Sequence, residues 1–153
     1  MADRIRVGVI GLGWPGREHL KGYKASGLAE VVAVCDLDPG LREQVADEQD
    51  VPNRYATYEE FLAEEELDAV SVCLPNFLHK SATVAALEAG VNVICEKPPA
   101  LSAAEAREMA DTAKQKGKTL MYALVQRFGS AAQIVREFVD AGELGDIYFG
   151  KAG

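Results

Sequence analysis

The sequence predicts an α/β fold built on a doubly wound parallel sheet. Five or six short apolar runs, rich in β-branched residues, lack the polar alternation of half-exposed strands, so they read as strands covered on both faces. The intervals between them are long enough for helices and carry helix start and stop signals. The first run ends in a glycine cluster and the second in an aspartate. Strict alternation of strand and helix implies right-handed crossovers and helices on both sides of the sheet.

Ile5 to Leu12 forms the first strand, and Val31 to Cys35 the second, with Asp36 directly after it. Arg54 to Ala56 is a weaker third. Ala69 to Leu74, Val91 to Cys95 and Leu120 to Val125 complete the sheet. Between them, Asp38-Pro39 sets an N-cap before a proline at the first helical position. Thr57-x-x-Glu60, Ser102-x-x-Glu105 and Ser130-x-x-Gln133 match the capping box, in which the hydroxyl and the later side chain satisfy free backbone donors. Gly27, Gly90, Gly117 and Gly142 stand where C′ glycines end helices. Ile147 to Ala152 reads as one more strand, after the last helix, with no later partner. Its open ladder groups would leave it disordered, folded back or paired with a second chain.

Composition narrows the classes of function. A chain of 153 residues, 48% hydrophobic, supports one core without disulfides or metals. The net charge of −8 argues against nucleic acid or an anionic membrane as partner. The N-terminus lacks the apolar segment of a secretory signal, and no apolar run is long enough to span a bilayer. A soluble cytoplasmic protein is expected. Cys35, Cys73 and Cys95 each lie near the end of an apolar run and read as buried thiols. With only His19 and His79 and no Cys-x-x-Cys, no zinc ligand set is expected, and no metal.

Gly11-Leu12-Gly13-Trp14-Pro15-Gly16 is a Gly-x-Gly-x-x-Gly sequence that closes the first strand and opens a helix, with Asp36 about 20 residues past Gly16. This is the context of a Rossmann-type dinucleotide-binding fingerprint. Gly11 permits the tight turn, Gly13 lets the backbone approach a pyrophosphate, and Gly16 lets helix and strand pack closely. The helix N-terminus presents N–H groups to the phosphates, and Pro15 costs nothing where no N–H is needed. A carboxylate at Asp36 accepts hydrogen bonds from both ribose hydroxyls of NAD. A 2′-phosphate about 4 Å away would meet repulsion of about 4 kcal/mol per unit charge at an effective dielectric near 20. NAD is therefore preferred, with NADP left open by Arg42, which is close enough in sequence to swing in.

Three further clusters fall at the expected carboxyl ends of strands, where open α/β sheets bind ligands. Leu74-Pro75-Asn76 with His79 follows the fourth strand, Glu96-Lys97-Pro98 the fifth, and Gln126-Arg127 the sixth. Each has a plain structural explanation alone; together they line one rim with hydrogen-bonding groups.

At these residues the chain resembles the glucose–fructose oxidoreductase, inositol dehydrogenase and rhizopine-catabolism protein family, Gfo/Idh/MocA. The resemblance runs from Arg4 to the last residue and includes the tail Gln126-Arg127-Phe128 leading to Gly142-x-x-Gly145-x-Ile147. It implies an NAD(P)-dependent oxidoreductase that passes hydride between nicotinamide and a sugar, cyclitol or related alcohol or ketone. Lys97 would be the catalytic residue, hydrogen-bonding the reacting oxygen beside the nicotinamide. The implied cofactor contacts are Gly11 to Gly16, Asp36, Leu74, Pro75, Asn76, His79, Glu96, Lys97, Gln126 and Arg127. By the same resemblance, residues 1–126 form the dinucleotide-binding domain. Residues 127–153 form the first helix and strand of a truncated C-terminal domain for substrate binding and oligomerisation. The expected partners are the small-molecule substrate and, through the C-terminal strand, further copies of the chain. The alternative is a stand-alone NAD-binding or redox-sensing module without turnover; a purely structural fragment is a third reading.

Overall fold

The computed structural model describes residues 4–151. Its chain divides into two compact units, Met1–Ala123 and Leu124–Gly153. The first holds six parallel strands in the order β3-β2-β1-β4-β5-β6. They are β1 (Ile5–Ile10), β2 (Ala29–Cys35), β3 (Asn53–Tyr55), β4 (Ala69–Val72), β5 (Asn92–Cys95) and β6 (Leu120–Tyr122). The helices of this unit are α1 (Trp14–Ser26), α2 (Pro39–Glu48), α3 (Tyr58–Glu64), α4 (Asn76–Glu88) and α5 (Ala103–Lys116). All six expected strands form; β2 and β5 end where expected, and the other four stop one to three residues short at their carboxyl ends, where the chain leaves the ladder for a turn. The order reverses between β1 and β4, and crevices outside the strand ends at such a switch point are where this architecture binds ligands.

Alternation along the central strands builds two cores. Val9 and Val34 face Leu20 of α1 and Val45 of α2. On the opposite face, Ile10, Val70, Val72 and Val93 meet Phe61 of α3, Leu87 of α4 and Met109 of α5. Full burial of each such side chain contributes about 1.5–3 kcal/mol. Phe61 also explains Gly8, in the middle of β1: any Cβ there would strike the Phe61 ring.

The helix signals hold with one exception. Asp38 accepts from the Leu41 N–H at 3.0 Å, and Thr57 from the Glu60 N–H at 3.3 Å. Ser102 accepts from the Glu105 N–H at 3.2 Å, while the Glu105 carboxylate reaches back to the Leu101 N–H, one residue before the N-cap. Gly27, Gly90, Gly117 and Gly142 all take positive φ at helix ends. The expected box at Ser130 does not form. Ser130 is already helical and Gly129 is the N-cap, with no side-chain cap.

The second unit contains a 3₁₀ turn, Val125–Phe128, and α6 (Ser130–Asp140). None of its described residues is buried. The division after Ala123 precedes the boundary expected after Gln126, because β6 ends at Tyr122 and the 3₁₀ turn starts at Val125. The strand expected at Ile147 to Ala152 is absent over 147–151, where no neighbouring strand supplies a ladder; Ala152 lies outside the described residues.

Candidate functional site

The glycine turn leaves β1 at Gly11, whose N–H donates to the Cys35 carbonyl at 2.8 Å. Gly11 has φ +90°, and a Cβ there would lie 2.5 Å from the Cys73 carbonyl oxygen. At Gly16 a Cβ would strike the Gly11 carbonyl. These two glycines are required by packing of the turn on β4 and on its own helix. Gly13 differs. It is exposed, has φ −61°, and a Cβ there would touch nothing closer than Pro15 at 3.9 Å. No side chain caps α1, so its first turn keeps N–H groups open to an anion. Trp14, at 75% exposure, stands beside this opening.

Asp36 follows β2 and is half-buried. One carboxylate oxygen accepts from the Leu12 N–H at 2.8 Å and the other from the Asp38 N–H at 3.0 Å. Two backbone donors therefore fix the carboxylate above the strand ends. Arg42 is committed nearby: its guanidinium donates to the Asp36 carbonyl at 2.8 Å and lies 3.7 Å from Glu43. A crevice of about 540 Å³ runs from Gly11 and Gly13 past Asp36 to Leu74, Pro75 and Phe77. A neighbouring one of about 280 Å³ lies between Asp36, Leu37, Thr57 and Leu78.

Leu74, Pro75 and Asn76 cross the switch point, and Asn76 begins α4, which also lacks a side-chain cap. His79 is not on the open rim where the sequence reading set it. It is 1% exposed, with Nδ1 2.8 Å from the Pro98 carbonyl and Nε2 2.7 Å from the Leu74 carbonyl. Both ring nitrogens are engaged by backbone, so His79 braces the β4 loop against the Glu96-Lys97-Pro98 loop.

That second loop leaves β5 at Cys95. The Glu96 side chain is only 12% exposed and accepts from the Lys97 N–H at 3.0 Å. Lys97 itself is exposed, its ammonium 4.0 Å from the Glu96 carboxylate. The other Glu96 oxygen meets His19 Nε2 at 3.2 Å, and His19 Nδ1 meets the Ser71 hydroxyl at 2.8 Å. Tyr23 completes the cluster at 2.6 Å from Ser71. Sequence reasoning missed His19, Tyr23 and Ser71 as site residues. Their signals were present: His19 and Tyr23 follow Gly16 at helical spacing on the packed stripe of α1, and Ser71 is a lone hydroxyl in an apolar strand.

The cysteines are buried and free. Burial, with the Asp36 charge second, pushes the Cys35 thiol up to about 12. Burial pushes Cys95 up to about 11 and raises Cys73 as well. Thiolate chemistry has no place at this rim. Gln126 and Arg127 belong to the second unit, exposed on its 3₁₀ turn.

Residues 5–124 match the family model for an oxidoreductase family with an NAD-binding Rossmann fold. The chain is 40% identical over 145 residues to the D-glucoside 3-dehydrogenase of Escherichia coli, covering 94% of this chain and 41% of that protein. It is also 40% identical over 118 residues to the D-xylose 1-dehydrogenase (NADP(+)) 2 of Haloferax volcanii, covering 77% and 36%. Among solved structures, the myo-inositol 2-dehydrogenase of Lactobacillus plantarum superposes with a TM-score of 0.89 at 30% identity, over 95% of this chain and 43% of that one. The chain thus spans about two fifths of the length of the curated relatives it matches. Sheet order, glycine turn and family match agree, and the chain belongs to the Gfo/Idh/MocA oxidoreductase family through its NAD-binding Rossmann domain.

Proposed function

We propose that this chain binds NAD(H) and serves hydride transfer between its nicotinamide and a sugar, cyclitol or related alcohol or ketone. The observation that carries the reading is the shared rim. The open first turn of α1, the fixed carboxylate of Asp36 and the exposed ammonium of Lys97 stand at the carboxyl ends of β1, β2 and β5, on one edge of the same parallel sheet. The residues fit such a cofactor. Open space over Gly13 admits a pyrophosphate to the uncapped helix turn, and Asp36 presents two carboxylate oxygens toward a ribose diol.

NAD, when bound, supplies the hydride acceptor. The turn Gly11 to Gly16, with Leu12, Trp14 and Gly16 shaping it and Gly11, Gly13 and Pro15 lining the crevice, would receive its phosphates, and Leu74 and Pro75 line the same crevice just before Asn76 starts α4. Lys97 would orient the substrate oxygen and stabilise the alkoxide charge that develops there as hydride adds to a ketone, the same charge that forms in the oxidative direction when the alcohol loses its proton before hydride transfer. Glu96 holds Lys97, and His79 acts from beneath by fixing both loops. The family resemblance assigns Gln126 and Arg127 to contact with cofactor or substrate, and residues 127–153 to the start of a further domain for substrate binding and assembly.

NAD is favoured over NADP because Asp36 would repel a 2′-phosphate and Arg42 is tied to the Asp36 carbonyl. The NADP(+) in the printed name of the Haloferax relative makes this preference a matter for experiment. Buried free thiols suit the reducing cytoplasm, where we place the protein. Calorimetry with NADH and NADPH tests the binding; tighter NADH binding is expected, and equal affinities would remove the argument from Asp36. NADH formation from NAD with sugars or cyclitols, abolished in Lys97→Ala, tests the chemistry. For these 153 residues alone binding with little turnover is expected, so the chemistry is tested with a substrate domain supplied, and binding still without turnover there would favour the sensor reading.

A further inference from the structure

The cluster beneath Lys97 has a direction. Glu96, as a carboxylate, only accepts, so His19 Nε2 must carry the hydrogen that joins them at 3.2 Å. In the neutral ring this leaves Nδ1 as an acceptor, and the Ser71 hydroxyl 2.8 Å away must donate to it. Ser71 then has lone pairs free to accept from the Tyr23 phenol at 2.6 Å. Every bond follows from the charge at one end, and no donor or acceptor is used twice. Burial raises the Tyr23 phenol, which keeps it a donor.

The surroundings make the arrangement consequential. Ser71 is fully buried and the His19 side chain is 14% exposed, so water replaces these partners poorly. A polar group left unmatched in such a place costs more than a typical hydrogen bond contributes. Three elements meet here: α1 supplies His19 and Tyr23, β4 supplies Ser71, and the loop after β5 supplies Glu96. The other ionisable neighbours are Cys73 and Cys95, buried next to this cluster, and Lys97, on the open side of Glu96.

We propose that His19 is a positioning residue: held in one tautomer by Ser71 and Tyr23, it fixes the Glu96 carboxylate and through it both the backbone and the ammonium of Lys97. The inference rests on the reading of Lys97 as the cation that meets the reacting oxygen. It extends that reading by tying the helix that begins at the phosphate turn to the residue at the far end of the rim. A binding event at the first turn of α1 and the aim of Lys97 thereby share one rigid connection.

Nitrogen NMR of the two imidazoles in the 153-residue chain tests this without any cofactor, since His19 and His79 are the only histidines. The expected result is a His19 ring protonated at Nε2 and bare at Nδ1. A ring protonated at Nδ1 alone, or an even mixture of tautomers, would overturn the proposal. Ser71→Ala should cost the single tautomer and shift the Lys97 amide resonance. His19→Ala should shift that resonance further, and His19→Gln, which keeps a donor toward Glu96, should restore it. A Lys97 amide unmoved in both His19→Ala and Ser71→Ala would reduce His19 to packing. NADH titration of the parent, followed by Trp14 emission, is a separate arm. Its failure would count against the cofactor reading, while the tautomer and the Lys97 shift still decide the positioning role.

Discussion

Alanine at Gly11 and alanine at Gly13 should separate folding from binding within one turn. At Gly11 the backbone has φ +90°, and a new Cβ would lie 2.5 Å from the Cys73 carbonyl oxygen and 2.7 Å from its carbon. The left-handed backbone costs a side chain about 1–3 kcal/mol. The overlap is with backbone, which cannot rotate away, and adds about 1–3 kcal/mol. Together the loss is about 2–6 kcal/mol. At about 2–4 °C per kcal/mol for a chain of this size, Tm should fall by on the order of 5–20 °C. Gly13 has φ −61° and no neighbour within 3.9 Å, so the same methyl group costs only the weaker N-cap, about 0.5–1 kcal/mol. Yet that methyl occupies the space through which a pyrophosphate would reach α1, and NADH affinity should drop at least about tenfold, or about 1.4 kcal/mol. Thermal unfolding by circular dichroism and quenching of Trp14, the only tryptophan, measure the two effects. Equal Tm losses for the two variants, or undiminished NADH binding by Gly13→Ala, would refute the division of labour.

Three further outcomes follow from the same structure. Asp36→Ala should weaken NADH binding by about ten- to a hundredfold, equivalent to the net loss of one charge-assisted bond of about 1.5–3 kcal/mol, and narrow the gap to NADPH; an unchanged ratio by calorimetry would contradict it. His79→Ala should lower stability by about 2–5 kcal/mol, because it empties a buried site and strands whichever of the Leu74 and Pro98 carbonyls accepts from the ring's N–H; an unmoved urea midpoint would count against the brace. The thiols set an alkaline limit. Cys35 and Cys95 hold their protons when folded, pushed up to about 12 and about 11, while an unfolded thiol loses its proton near pH 8.5. Their contribution is whole below about pH 8.5 and is lost as pH rises toward the folded values, so stability should decline across that window. Denaturation midpoints at a series of pH values would show it, and a flat profile in the parent matched by one with Cys35 and Cys95 replaced by alanine would refute it.

The strands and their cover on both faces were legible because Val9 and Ile10, or Val34 and Cys35, are apolar on both faces, and only a doubly covered sheet makes use of that. The glycine turn was legible because its three glycines carry distinct geometric demands. His79 was misplaced for a physical reason. Spacing from Pro75 put it near the rim, but on the second turn of α4 its ring points under the loop, where two carbonyls lack partners. The His19–Ser71–Glu96 connection was not readable from spacing, since it joins residues 52 and 77 positions apart that only the sheet order brings together. The strand at Ile147 failed because a β-pattern specifies a face and not a partner.

The central claim is that the glycine turn, Asp36 and the Glu96-Lys97 loop form one cofactor site. Amide NMR of the labelled chain during NADH titration tests it most directly. Shifts should concentrate at residues 11–16, Asp36, Leu74 to Asn76 and Glu96 to Lys97, saturating along a single binding curve. Shifts confined to the opposite end of the sheet, around Lys24 and Gln49, or no saturable shifts at all, would contradict it.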